Sequence, residues 1–430
     1  MSKAKRNGGH HVRFTLEEQK RNYRKRVERL CLTVAGPGVY QMIPKKDLHR
    51  MFVIRALPFE IYPAPGQNIP DDVLRKMRKI YLSLSRHENV CVTESGIEIP
   101  LSEFLTTGLN LKFYIDGLRD SDYPDAAAVK EALAPFTSFE EGFDKADELF
   151  DLLLNVLGFE TSYLDSYLYW TRFAPSLRRE GGFAVENHIY VYCRKREEMK
   201  VKIGGMNRTV FRVRIALSGS KENILDVRIP GEKLGPAGAR KNMFGIYIQQ
   251  HALMRLMERL APLDRISIED HVCTSLLKPV VLRQGDGSYL IEMRVSNIKA
   301  GYLLAEIIGD ILVVKTFLFI TNGGTPEGRR LQQIAGLERP DREYLAIDRL
   351  STFARADIRD DKNLEALFTK AGCGCLFALH DEVKRRTDLE EDLSVMQMLT
   401  KYFGIREKHD FMVPDILERW QIKSVTGSER

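Results

Sequence analysis

An α+β fold is predicted by three changes of period along the chain. Apolar residues recur at helical spacing from Lys45 to about Phe159, alternate strictly after Asn187, and return to helical spacing beyond Glu327. At 430 residues the chain exceeds what a single core normally supports, so several structural units are expected. The expected division is a flexible basic arm over 1–14, a mainly helical N-terminal region over 15–180 and a strand-rich basic region over 181–235. A helix pair with an antiparallel meander follows over 236–325, and a mainly helical C-terminal region over 326–430. With 44% hydrophobic and 29% charged residues, the composition excludes disordered and fibrous classes.

The elements follow in order. Thr15-Leu-Glu-Glu18 is a capping-box pattern that opens a basic helix reaching about Leu30, before AGPGVYQMIP breaks it. VLRKMRKIYLSLS, PLSEFLTTGLNLKFYIDGL, AAVKEAL and FEEGFDKADELFDLLLNVLGF carry the helical stripe, and FEIYPAPGQNIP reads as a proline-rich connector between them. From His188 the period is two: Val201 and Ile203, then Phe211, Val213 and Ile215, alternate with Lys200, Lys202, Arg212 and Arg214, with turns at KREE and GGMN. GEKLGPAGARKN is a loop, MFGIYIQQ returns the chain to structure, and a helix follows. Ser267-Ile-Glu-Asp270 is then the expected cap of a second helix. PVVLR, SYLIEMRVS, GYLLAEIIG and ILVVKTFLFI complete a meander, its last two strands joined by a Gly309-Asp310 hairpin turn. AIDRLSTFA and a long amphipathic stretch from about Leu376 to Phe403 supply the final helices.

The formal net charge of +6 is local. Residues 1–30 hold ten Lys/Arg against Glu17, Glu18 and Glu28, so the remaining 400 residues net −1. A second basic stretch spans His188–Arg214, with eight Lys/Arg against two Glu and the rings of Tyr190 and Tyr192 interleaved. One strongly basic sheet face is expected there, with Lys200, Lys202, Arg212 and Arg214 as nucleic-acid contacts, against the ordinary alternative of a solvated outer face. No run approaches the roughly 18 apolar residues of a membrane span and the N-terminus has no apolar signal core, so an intracellular, cytoplasmic protein without membrane contact is expected. The six cysteines are scattered and imply no disulfide framework. Cys373-Gly-Cys375 with His380, and His271-Val-Cys273, are too tightly or irregularly spaced for structural zinc; no metal or cofactor is expected.

His251, Arg255 and Arg259 recur every four residues in QQHALMRLMERLAP, which places them on one stripe of a helix. Two arginines at this spacing repel, so an anion or a carboxylate over the stripe is favoured. Capping by His251 and pairing of the arginines with Glu258, Glu292 or Glu306 is the structural alternative. The H-A-L-x-R-L-x-E-R helix, the second helix and a meander ending in VVKTFL resemble the RelE-like ribonuclease toxins over residues of about 245–320. That resemblance implies a helix pair packed on an antiparallel sheet whose basic surface faces RNA. It implies site residues at His251, Arg255, Arg259, Lys315 and Thr316, with Tyr247 and His271 as candidate second acid/base groups. The implied chemistry is metal-independent phosphodiester cleavage, in which cations stabilise the charge gained at phosphorus.

Asn322-Gly-Gly-Thr-Pro-Glu-Gly328 joins a strand to a helix, with Thr325 as N-cap and Pro326 at the first helical position. Its amides at Gly323, Gly324 and Thr325 form a candidate anion site, although the lysine and hydroxyl of a nucleotide P-loop are lacking. Three functions are therefore expected in order: an RNA-directed nuclease or toxin-like effector, a non-catalytic nucleic-acid-binding or scaffold protein, and a phosphate-ligand enzyme using the 322–328 loop. The expected partners are RNA and a neutralising or acidic protein.

Overall fold

Thr15 opens the first helix, α1 (Leu16–Ala35), as its capping box predicts: the Thr15 hydroxyl accepts from the Glu18 amide while the Glu18 carboxylate accepts from the Thr15 amide. The computed structural model describes residues 15–178, 184–218, 224–387 and 393–407, so the expected arm over 1–14 lies outside the described residues. They divide into two compact units. One holds the chain up to Ser162 together with Leu168–Arg194 and the residues from Ala216 up to 223. The other holds Tyr163–Tyr167, Lys195–Ile215 and the chain from Ile224.

In the first unit α1 runs past the expected end and stops at Gly36, whose φ of +81° favours glycine. Then come α2 (Val39–Met42), α3 (Lys45–Val53), β1 (Glu60–Pro63), α4 (Asp71–His87), β2 (Asn89–Cys91), β3 (Glu98–Pro100) and α5 (Leu101–Glu103). A π-helical turn over Phe104–Gly108 leads into α6 (Leu109–Asp116), followed by α7 (Ala126–Thr137) and α8 (Glu140–Phe159). Tyr23, Met77, Phe104, Phe136 and Leu157 bury one continuous core between these helices. Asn110 is satisfied inside it by Tyr23 Oη and the Met51 carbonyl. The region is less purely helical than its period predicts, because β1 and β4 (Tyr167–Arg178) flank β5 (Ala184–Lys195) in a three-stranded sheet. The proline-rich connector is thus partly a strand: β1 runs parallel to β5, with Ile61 opposite Ile189. Tyr190 and Tyr192 accordingly belong to this sheet and not to the strands that carry Lys200 and Lys202.

The second unit contains β6 (Glu198–Ile203), β7 (Met206–Arg212), β8 (Arg214–Ala216), β9 (Ile224–Asp226), β10 (Arg228–Pro230) and β11 (Met243–Gln249). The helix pair α9 (Gln250–Leu260) and α10 (Arg265–Leu277) comes next, then the meander β12 (Val281–Arg283), β13 (Tyr289–Val295), β14 (Ile298–Ile308) and β15 (Ile311–Phe319). The strands line up as β12-β13-β14-β15-β11-β7-β6, with β10 paired to β11 beside that path. One sheet thus crosses the border expected at 235/236. β11 runs parallel to β15, because the helix pair and meander carry the chain back before the two strands pair; the meander itself is antiparallel. α9 packs on β15 and α10 on β13. The cap of α10 is Asp264, which accepts from the amides of Ile266 and Ser267, and not the expected Ser267.

The C-terminal helices are α11 (Pro326–Ala335), α12 (Arg339–Tyr344), α13 (Leu350–Arg355), α14 (Lys362–Lys370), α15 (Cys375–Arg386) and α16 (Leu393–Glu407). The long amphipathic stretch from Leu376 to Phe403 falls on α15 and α16. Phe353 and Phe368 pack edge to face, and Phe319 stacks on Phe353, which ties these helices to the end of β15. The α+β architecture, with helices at both ends of a strand-rich middle, is as the periods predict.

Candidate nucleic-acid interface

The α9 stripe is real as a helical face, but its three members have different surroundings. Leu253, Leu256 and Leu260 bury the opposite face. His251 is exposed at the open end of the helix, where Gln249 provides no side-chain cap and no acidic residue sits in the first turn. Arg255 donates to Glu258 at 2.6 Å, an exposed pair of the kind that contributes a few tenths of a kcal/mol. Arg259 is a different case: its side chain is 14% exposed and its Nη1 lies 2.9 Å from Asp348 Oδ2, itself on a side chain 11% exposed. The same nitrogen reaches the Asp348 carbonyl at 3.3 Å. This arginine ties α9 to the segment before α13.

Lys315 and Thr316 do not complete a cradle over the stripe. Thr316 stands opposite Leu304 while Val314 stands opposite Ala305, so Lys315 is the extra residue of a β-bulge. Its ammonium donates to Glu306 at 2.8 Å. Glu306 pairs with Val313, and the small apolar cluster on that side, Val201, Val210, Tyr247 and Val313, includes no residue of α9. The lysine head group and the helix therefore lie on opposite faces of the sheet. Tyr247, which sits on a strand and not one helical turn before His251, donates to Glu197 at 2.8 Å on the same side as the cluster. His271 is buried in α10, and burial lowers its pKa. Neither joins His251 as a second acid/base group.

The basic strands divide by register. Lys200 pairs with Thr209 and Lys202 with Asn207, whereas Val201 pairs with Arg208. Directly opposed residues share a face, so Lys200, Lys202, Asn207 and Thr209 lie together, and Arg212, which shares the side of Val210, lies on the other face. The single basic face expected for the four cations is split. The chain breaks at Val213, and Arg214 belongs to the separate β8–β9 pair.

Arg212 and Arg214 are enclosed by carboxylates. Arg212 contacts Glu197 at 3.1 Å and Asp226 at 2.7 Å, and Arg214 contacts the same two residues at 2.9 and 2.6 Å. Burial works against the ionised form of Asp226, but the bonds from Arg214 and Arg228 and the charges of Arg212 and Arg214 outweigh it and hold the carboxyl below its ordinary range. Lys200 and Lys202, by contrast, are exposed and have no carboxylate partner among the described residues. Asn207, Thr209, Gln249, Gln250, His251 and Met254 line a shallow depression that continues from their face to the start of α9. The sequence reading missed the amides and hydroxyl of this depression. The Gly204-Gly205 turn held the signal: a two-residue connection sets Ile203 against Met206 and so puts even-numbered residues of β6 opposite odd-numbered residues of β7.

The 322–328 loop keeps its predicted cap, with the Thr325 hydroxyl accepting from the Gly328 amide at 2.9 Å. Two of its three candidate amides are engaged within the loop: Gly324 donates to Asn322 Oδ1 and Thr325 to the Asn322 carbonyl. Arg342 lies against Gly323. Glu327 places a buried carboxylate in the first turn, where it accepts from Lys299 at 2.9 Å and Tyr302 at 3.1 Å. The first turn of this helix thus carries an acid of its own, turned to Lys299 and Tyr302. His380 is bonded through Nδ1 to the Phe353 carbonyl. Among the described residues no group of three or more His, Cys, Asp or Glu is arranged to hold a metal ion. Likewise, no helix among the described residues is long and apolar enough to cross a membrane. Comparison with protein-family models, curated proteins and solved structures finds no match.

Proposed function

We propose that the protein binds nucleic acid, RNA in the first instance, through the face of the β6–β7 edge hairpin and the open start of α9. One observation carries this reading: Lys200 and Lys202 are exposed and without an acid partner, on the same face as Asn207, Thr209 and the depression at His251. The lysines supply phosphate-neutralising charge, the amides and hydroxyl supply neutral donors, and the uncapped first turn of α9 supplies backbone N–H groups. The reading is binding without cleavage. The cations that would stabilise a pentacoordinate phosphorus, Arg255, Arg259 and Lys315, each have a carboxylate partner, and among the described residues neither Tyr247 nor His271 joins His251 as a second acid/base group.

The test is RNA binding measured against salt. Replacing both lysines by alanine removes two phosphate contacts, so the slope of log affinity against log salt for a single-stranded RNA falls by about 1.4. An unchanged slope overturns the assignment. Cleavage of RNA that disappears in His251→Ala would replace the binding reading with the nuclease one.

A further inference from the structure

A second basic pocket lies in the first unit, between α1, the residues before β1, the end of α4 and the α5–π turn. It is an open depression of about 360 Å³, within the roughly 300–1,000 Å³ of small-molecule sites. Three arginines enter it, Arg26, Arg29 and Arg86, against one acid, Glu103. Glu103 is already taken: Arg29 holds it with two bonds, Nε to Oε1 at 3.2 Å and Nη2 to Oε2 at 2.6 Å. That leaves Arg26 and Arg86 without a hydrogen bond or ion pair to any acid among the described residues, and the Nε of Arg26 is buried with no acceptor. A half-buried guanidinium with an unmatched donor is costly unless an anion completes it. Burial also works against the charged form of Arg26, and only Tyr23 and Glu103 oppose that effect.

The walls are of two kinds. Ser102 and Thr106 border the arginines, on the segment whose backbone widens into the π-turn Phe104–Gly108, a distortion that is frequent at functional sites. The remaining wall is mainly apolar: Phe59 is half-buried, with its ring against Tyr81, Phe150 and Phe173, and Leu82 is 47% exposed; Tyr81 and Ser85 border the same pocket. Unmatched guanidinium charge beside partly uncovered apolar surface describes a ligand with the same two parts.

We infer that this pocket binds a small phosphate-bearing molecule with a flat apolar ring, of the nucleoside monophosphate class, its phosphate between Arg26 and Arg86 and its ring against Phe59 and Leu82. The site is separate from the lysine face on β6 and does not depend on it.

Calorimetric titration of the full chain with AMP, and separately with inorganic phosphate, tests the inference. AMP is expected to bind in saturable fashion, one per chain, and more tightly than inorganic phosphate. Arg26→Met and Arg86→Ala should each weaken AMP binding roughly ten- to hundredfold, the loss of one charge-assisted bond or more. Arg86 is exposed, so that variant reports even if Arg26→Met does not fold. Lys200→Ala/Lys202→Ala should leave AMP binding unchanged. The inference is overturned if AMP gives no saturable binding at millimolar concentration, if both arginine variants bind it as the parent does, if inorganic phosphate binds as tightly as AMP, or if binding is lost with the lysines instead.

Discussion

Two pairs of cations from one basic stretch, Lys200 with Lys202 and Arg212 with Arg214, have the same sequence signature and opposite environments. Both pairs alternate with apolar residues, and both lie in the same basic stretch. The arginines are closed on two sides by Glu197 and Asp226, whereas the lysines meet no acid among the described residues and face outward at the sheet edge. Charge density along a sequence therefore does not measure the charge a surface can offer. What counts is the charge left after internal carboxylates have been matched. The α9 stripe repeats the contrast within one helix, since Arg259 is enclosed and His251 is open.

The enclosed cations are structural in this comparison, and the largest test of that is Arg259. Arg259→Ala leaves Asp348 buried with Arg349, at 3.5 Å, as its one other cation among the described residues, and Asp348→Ala leaves the guanidinium without its acid. Each variant should lose about 3 kcal/mol of unfolding free energy, the lower end for breaking one side of a buried pair. Urea denaturation checks this. A loss below about 1 kcal/mol would return Arg259 to the group of free cations and reopen the stripe as a phosphate surface.

The Asp226 cluster gives a smaller effect with a pH signature. Because the carboxyl of Asp226 is held below its ordinary value near 3.8, its contribution is fully present above that value and is lost as pH falls through the lowered one. Asp226→Asn should therefore cost about 1–2 kcal/mol at neutral pH, and the gap to the parent should close as pH drops below about 4. Urea midpoints collected from neutral to acidic pH measure this. A gap that stays constant over the whole range would mean that the arginines are held by packing and not by the acid.

Much of the fold was legible because its signals are local. The Thr15–Glu18 capping box, the Gly309-Asp310 hairpin turn, the Thr325 cap and the order of helix pair and meander each depend on a few adjacent residues. Pairings between distant segments were not legible. Nothing local in FEIYPAPGQNIP announces that Ile61 will stand opposite Ile189, and its prolines argue the other way. The candidate site was legible as residue types and only partly as geometry. Asp348 reaches Arg259 across a fold of the chain that no periodicity encodes, and Glu306 reaches Lys315 within the legible hairpin only because of a β-bulge that the pattern does not announce. A one-residue difference in register decides which face a strand residue takes, so reading Phe211 onto the face of Val201 moved Arg212 to the wrong side. The pocket around Arg26 escaped altogether, because its walls come from four segments that are unremarkable one by one.

The smallest expected change is the one that sharpens the comparison most. Lys200 and Lys202 make no ion pair among the described residues, so replacing both with alanine should move unfolding free energy by no more than about 0.5 kcal/mol. The same double variant carries the predicted loss in RNA affinity and salt slope. Edge-strand lysines also guard a sheet against pairing with other chains. That role predicts a different outcome: faster concentration-dependent association of the double variant, with RNA binding intact. Measuring sedimentation and RNA binding on one preparation separates the two roles. A stable, monodisperse variant with weakened, less salt-sensitive RNA binding identifies the lysines as a binding surface, whereas aggregation with the parent's salt slope identifies them as guards of the edge.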